Sequence, residues 1–276
     1  MTAPLTAPNP FGRTFTVERR DPEVSPLDTY GKVIYLGGPK DGKTYLLGSW
    51  NENTLTPGQP GVFVISFDPN LGTIRQFDPP IPYVQIDNTE QFRKHVFPWI
   101  LSGGLASEYP SVTTIAVDSL SFYAKMLELE TTGDWQLFAQ RIAGDLGQLT
   151  RLANRNAGIP RNYNLVASCH EKDRYTSVKT NNGRERHLVG VEPAVAGQMA
   201  ALLTGYFDLV LYAKRKTEAV LVPGSNPPRY ENTAVFECAA MEPPQHKAPA
   251  GGTLWGRSIT GKVDGTYKGL HTLCGG

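Results

Sequence analysis

The sequence predicts an α/β protein with a mostly parallel sheet flanked by helices. Three observations carry this: continuous apolar runs that suit strands covered on both faces, helical stripes between them, and glycine or proline at the joints. Residues 1–28 hold five prolines and few periodic apolar positions, which predicts an extended arm outside the core. Its aromatics, Phe11 and Phe15, either pack on their own domain or dock on a neighbouring subunit. The core is expected over residues 29–241.

Within the core, "KVIYLG" (residues 32–37) reads as the first buried strand and "TYLLGSW" opens the helix that follows. "GVFVISFD" (61–68) is a second strand, entered from the turn "TPGQPG", and "VTTIAVD" (112–118) is a third. Trp135, Phe138, Ile142, Leu146, Leu149 and Leu152 step by three or four, one apolar helical stripe closed by Gly158 and Pro160. "YNLVASCH" (163–170) and, after the short helical segment "PAVAGQMAALLTG", "YFDLVLYAK" (206–214) complete the strands. From residue 242 the chain is rich in glycine and proline and reads as an irregular or partly disordered tail over 242–276.

Composition narrows the functional classes. The formal net charge of +1 over 276 residues argues against a wholesale polyanion binder, so any nucleic-acid surface must be a local patch. Three cysteines without framework spacing suit a reducing cytosol. The start "MTAPLTAPNPFGRTF" lacks a basic segment followed by an apolar run, and no stretch approaches the ~20 apolar residues of a membrane helix. The expectation is a soluble, cytoplasmic protein with no membrane partner.

Gly37-Gly38-Pro39-Lys40-Asp41-Gly42-Lys43-Thr44 matches the pattern G-x-x-x-x-G-K-[ST], and with Tyr45 it forms the candidate nucleotide-binding stretch. Glycines let successive backbone N–H groups converge on phosphate oxygens, Lys43 offers a point charge to the β- and γ-phosphates, and the Thr44 hydroxyl suits Mg²⁺. The match lies between an apolar strand and a helix, where the mechanism requires it; a plain strand-to-helix turn is the competing reading. Asp118, closing the run "VTTIAVD", is the expected acid on the Mg²⁺ side, unless it serves as a helix N-cap. Asp68, at the tip of "FVISFD", is the candidate water-activating base, in competition with Asx-turn chemistry in "DPN". His170 is the candidate γ-phosphate sensor, against a histidine merely satisfied at a strand end. "HEKDR" is no zinc-protease motif, because Arg174 stands where a second histidine is needed. Cys238, His246, His271 and Cys274 lack zinc-site spacing.

"GGPKDGKT", "IAVDSL", the Trp135 helix, "LVASCHEKD" and "EPAVAGQMAALLTGYFDLVLY" follow one another as in phage-encoded ATPases with a RecA-like core, a group that includes single-strand annealing proteins related to recombinases. The chain resembles that family over roughly residues 30–240. The resemblance implies a RecA-like P-loop core that binds ATP and Mg²⁺ through Lys43, Thr44 and Asp118. It also implies a catalytic position at Asp68, where the family carries glutamate, and a sensor at His170. A phage-encoded chain would work in the host cytoplasm. Family members present basic residues to a neighbour's nucleotide; here Lys214, Arg215, Lys216 or Lys247 is the candidate for that part.

"KDRYTSVKTNNGRERHLVG" has an NNG turn between two β-prone runs and reads as a hairpin or mobile loop. Lys172, Arg174, Lys179, Arg184 and Arg186, with Tyr175 for stacking, describe a single-stranded DNA contact surface; a solvated hairpin without ligand is the alternative. The expected function is a Mg²⁺-dependent ATPase that oligomerises on single-stranded DNA and promotes annealing or strand exchange, with a single-strand-binding protein as a further partner. A helicase or packaging motor, or a nucleotide-dependent assembly protein without DNA binding, are the alternatives. A small-molecule kinase is weaker, because no arginine-rich lid follows the core helices.

Overall fold

The computed structural model describes residues 6–8, 14–16, 30–154, 158–180, 183–196, 199–221, 230–240, 251–255 and 257–275. In the arm, β1 (Thr6–Pro8) and β2 (Thr14–Thr16) pair antiparallel, apart from the main sheet. Phe11 lies outside the described residues.

The core opens with β3 (Lys32–Gly37), α1 (Lys43–Ser49) and β4 (Val62–Ser66), as the apolar runs predict. No element is read from the sequence between Asp68 and Val112. That stretch holds β5 (Tyr83–Gln85), α2 (Thr89–Gln91), a π-helical turn Phe92–Val96, α3 (Phe97–Leu101) and α4 (Gly104–Glu108). β6 (Thr114–Asp118), α5 (Leu120–Glu130) and α6 (Trp135–Arg151) follow. Then come β7 (Asn164–Thr180), β8 (Gly183–Pro193), α7 (Met199–Leu203), β9 (Leu209–Leu221) and β10 (Tyr230–Ala240).

β5, β4, β6, β7, β3 and β9 lie side by side in that order, each parallel to its neighbour. The sheet is buried on both faces, which is why its strands read as unbroken apolar runs rather than as alternation. One face carries Ile34, Leu36, Ile115 and Val117 against Tyr123 and Leu127 of α5 and Phe138, Ile142 and Leu146 of α6. The other carries Val33, Tyr35, Val64 and Leu211 against Leu46 and Leu47 of α1. A buried polar network ties the first layer together: Arg93 donates to Asp145 at 2.7 and 2.9 Å, and the Tyr123 hydroxyl donates to the same carboxylate. Arg93, Tyr123 and Asp145 are thereby each satisfied, as burial requires.

The parallel strands all end at one edge, where ligands of open α/β sheets bind. Two strands do not stop there. β7 leaves its parallel pairing with β3 at His170 and continues to Thr180, paired antiparallel with β8. β9 leaves β3 at Tyr212 and continues to Leu221, paired antiparallel with β10. Because the order is β7, β3, β9, two β-arms flank the loop that follows β3. At ~3.3 Å per residue, the free part of β7 is about 30 Å long.

The expectation of an irregular tail over 242–276 is corrected. Residues 241–250 lie outside the described part, but beyond them come β11 (Gly251–Leu254), β12 (Arg257–Ile259), β13 (Gly261–Asp264) and α8 (Tyr267–Leu273). β11 pairs with β9 and β13 with β10, so this segment completes the sheet, and the division at residue 241 does not separate it from the core. Leu254, Trp255, Ile259 and Leu270 are buried against α1 and its strands. The glycines hid this, because isolated apolar residues separated by turns give no period to read. Among the described residues, no helix is long and apolar enough to cross a membrane.

Candidate functional site

The loop after β3 is held by its own charged residues. Gly42 has φ +85°, a left-handed conformation that glycine adopts without strain, and it caps α1. Lys40 also has positive φ, at +67°. Pro39 and Lys40 are exposed, whereas Lys43 is only 6% exposed. Its ammonium donates to the carbonyls of Gly37 at 3.0 Å and Gly38 at 2.6 Å. Burial lowers its proton affinity, and the carboxylates of Asp41 and Asp118 act against that. Gly37 is required by space: a Cβ there would stand 2.8 Å from the Ala213 carbonyl of β9.

The acid expected across the loop is in place. The Thr44 hydroxyl donates to Asp118 Oδ2 at 2.9 Å, and the Ser168 hydroxyl of β7 donates to Oδ1 of the same carboxylate. Asp118 is 3% exposed. Burial pushes its carboxyl above the ordinary range, while the hydrogen bonds from Ser168 and Thr44 pull it back. The helix-cap reading of Asp118 gives way: Ser119 is the N-cap of α5, accepting from the Phe122 amide at 3.4 Å. The peptide between Asp118 and Ser119 is cis.

Asp68 follows β4, the strand next to β6, and is tied to Asp118 through the backbone. Its backbone N–H donates to the Asp118 carbonyl at 3.1 Å, and its charge acts on both Asp118 and His170. The Asx-turn reading also holds, since Asp68 Oδ1 accepts from the Asn70 amide at 2.8 Å. His170 lies at the end of the parallel part of β7, level with Gly37, with Nδ1 3.4 Å from the Lys43 ammonium. Burial, then the Lys43 charge, holds His170 below its usual pKa. The ring of Phe122 meets it edge-on at 6.0 Å, and Ser121 Oγ accepts from its backbone amide at 2.8 Å. Tyr45, 38% exposed, leans on Phe77 with ring centroids 5.7 Å apart.

The predicted residues Lys43, Thr44, Asp68, Asp118 and His170 thus converge from four elements of the sheet edge. The arrangement fits a magnesium-bound polyphosphate. A threonine hydroxyl and a buried carboxylate form the hard oxygen pair that Mg²⁺ prefers, beside a lysine and a glycine cradle that tolerates no side chain at Gly37. Sequence reasoning missed Ser168, although it precedes His170 by two and the strand period puts both on one face. It also missed Glu171, whose Oε1 lies 3.9 Å from where a Gly38 Cβ would stand.

The two β-prone runs of the basic segment pair antiparallel, and Asn181 and Asn182 between them lie outside the described residues. Lys179 stands opposite Arg184, Ser177 opposite Arg186 and Tyr175 opposite Leu188, with an irregularity between Arg174 and Tyr175. The side chains of Arg174, Lys179, Arg184 and Arg186 lie outside the described part. Tyr175 is 45% exposed. Lys172 is engaged at the hairpin base, where its ammonium donates to the Val195 carbonyl at 2.8 Å and lies 3.4 Å from Glu192. Among the described residues no group of three or more metal-ligating side chains gathers, and Cys238 and Cys274 are buried core residues. His246 is outside the described residues.

No protein-family model matches this chain, and no curated protein matches it.

Proposed function

We propose that the chain is a Mg²⁺-dependent ATPase with a RecA-like core that assembles on single-stranded DNA and promotes annealing or strand exchange. The observation that carries this reading is the meeting of Lys43, Thr44 and Asp118 at the foot of a strand that runs unbroken from His170 into the basic hairpin. Lys43 and the loop amides bind the phosphates, while Thr44 and Asp118 hold the cation. A Mg²⁺ held by Thr44 and Asp118 would neutralise the charge that develops on the phosphoryl group of ATP. Asp68 orients and deprotonates the attacking water, a role supported by its backbone bond to Asp118 at the same sheet edge. His170, whose ring nitrogen meets Lys43, feels the γ-phosphate position directly. A displacement there reaches the hairpin through β7, which carries both His170 and Lys179 and has a pairing irregularity between Arg174 and Tyr175.

The DNA part of the proposal has its own test. Replacing Arg184 and Arg186 together with alanine is expected to weaken single-stranded DNA binding by at least tenfold at low salt. It is also expected to lower the slope of log K against log salt by about 1.4, two phosphate contacts at ~0.7 each. Fluorescence anisotropy with a labelled oligonucleotide across a salt series reads both. Unchanged affinity and slope would remove the hairpin from the DNA surface and leave the nucleotide site standing.

A further inference from the structure

The ribbon of β7 and β8 changes register partway along its length. At its base, Glu171 stands opposite Pro193 and Arg174 opposite Gly190, but the next pair is Tyr175 with Leu188. β8 therefore passes over Val189 as one extra residue, a β-bulge. Such a slip decides which residues share a face, because residues opposite one another in an antiparallel ladder lie on the same side of it. Carried outward unchanged, the basal register would set Lys179 opposite Glu185, a match of opposite charges. It would place Arg184 and Arg186 opposite Thr180 and Val178, on the other face. The observed register does the reverse. Lys179 stands opposite Arg184 and Ser177 opposite Arg186, on the face of Tyr175 and Leu188, whereas Glu185 falls on the other face, opposite Val178.

Like charges directly opposite one another destabilise a ladder, and here an oppositely charged partner for Lys179 lies one position away. A register that gives up that partner costs stability unless an anion covers the face it creates; local rules are broken in this way at functional sites. Tyr175 marks the inner end of the same face. Its hydroxyl donates to Asp173 Oδ2 at 3.2 Å, two residues along the row, and the residue is exposed. Lys179 lies four residues farther out, ~13 Å along the strand. We infer that the face of the ribbon carrying Tyr175, Lys179, Arg184 and Arg186 is the track for single-stranded DNA, and that the bulge at Val189 makes this track one-sided. The inference rests on the reading of the hairpin as a DNA surface and goes beyond it by assigning the face. The strand lies along the ribbon, with phosphates at the three cations towards the tip and an unpaired base on Tyr175 nearer the sheet edge. The face of Glu185 takes no part.

The test is fluorescence anisotropy of a labelled single-stranded oligonucleotide with the full chain and charge-matched variants, across a salt series. Arg184→Glu combined with Glu185→Arg exchanges two neighbours, keeps the net charge and moves one cation across the ribbon. It is expected to weaken binding about tenfold at low salt. Ser177→Lys and Thr176→Lys each add one charge, on opposite faces. The first is expected to bind about fivefold more tightly and to steepen the salt slope by about 0.7, and the second to match the parent within about twofold. Circular dichroism checks each fold; should the exchange unfold the protein, the lysine pair decides alone. If the folded exchange variant binds like the parent, or the two lysines act alike, the one-sided track is overturned while the hairpin stays a DNA surface. If the parent binds no single-stranded DNA, or loses nothing on Arg184→Ala with Arg186→Ala, the DNA reading fails and this inference falls with it.

Discussion

Replacing Lys43 with alanine is expected to weaken ATP binding by roughly a hundredfold to ten-thousandfold and to abolish turnover, with DNA present or absent. The size follows from the loss of charge-assisted hydrogen bonds to two phosphates, each ~1.5–3 kcal/mol. The same substitution is expected to leave the fold intact. Lys43 is a buried cation whose proton affinity falls on folding, so its charge works against folding instead of supporting it. Isothermal titration with ATP beside thermal unfolding separates the two effects. Lost binding with an unfolding midpoint within a few degrees of the parent is the expected pair. Undiminished ATP binding by a folded Lys43→Ala protein would sink the nucleotide site. Steady-state turnover with and without single-stranded DNA then tests whether the hairpin and the site communicate.

Deleting residues 251–276 is expected to abolish cooperative folding. Six side chains in that segment, Leu254, Trp255, Ile259, Val263, Leu270 and Cys274, are buried in the core on the α1 side of the sheet. At ~1.5–3 kcal/mol for each large apolar side chain, their removal forfeits on the order of 10 kcal/mol, which is comparable to the whole stability of an ordinary domain. The damage reaches the site from behind. Trp50, at the end of α1, loses ring contacts with Trp255 at 5.8 Å and Tyr267 at 5.3 Å. Tyr35 of β3 loses its bond to the Gly265 carbonyl at 2.7 Å, and Ser49 of α1 loses the Tyr267 amide at 3.0 Å. Calorimetry of the truncated chain should show no sharp transition. A transition near that of the full chain would make the segment peripheral.

Asp118 and Ser168 illustrate how far the sequence reaches. Asp118 is legible because a charged residue that ends an apolar run suits a strand tip, and the proposed phosphate loop calls for such an acid. Its second partner, Ser168, lies 50 residues away on another strand, and only the sheet order, with β6 beside β7, brings them together. The same holds for Asp41. The pattern locates the loop, but the direction in which an acid in a variable position turns depends on the left-handed residues Lys40 and Gly42 beside it.

By itself the sequence determined the α/β class, core strands within 32–37, 61–68, 112–118, 163–170 and 206–214, the helical stripe from Trp135 to Leu152, the phosphate-loop pattern and two β-prone runs that pair as a hairpin. These are local: a strand covered on both faces is apolar throughout, an amphipathic helix repeats every 3.6 residues, and a tight turn needs glycine or asparagine. Only the tertiary structure decided that the glycine-rich C-terminal segment closes the sheet, that two β-arms flank the loop, that Ser168 meets Asp118, and that Asp41 turns back on Gly38. Those features rest on pairings such as Tyr35 with Gly265, 230 residues apart. Contacts of that range leave no periodic mark in the chain, because what selects them is the shape of the surface to be buried.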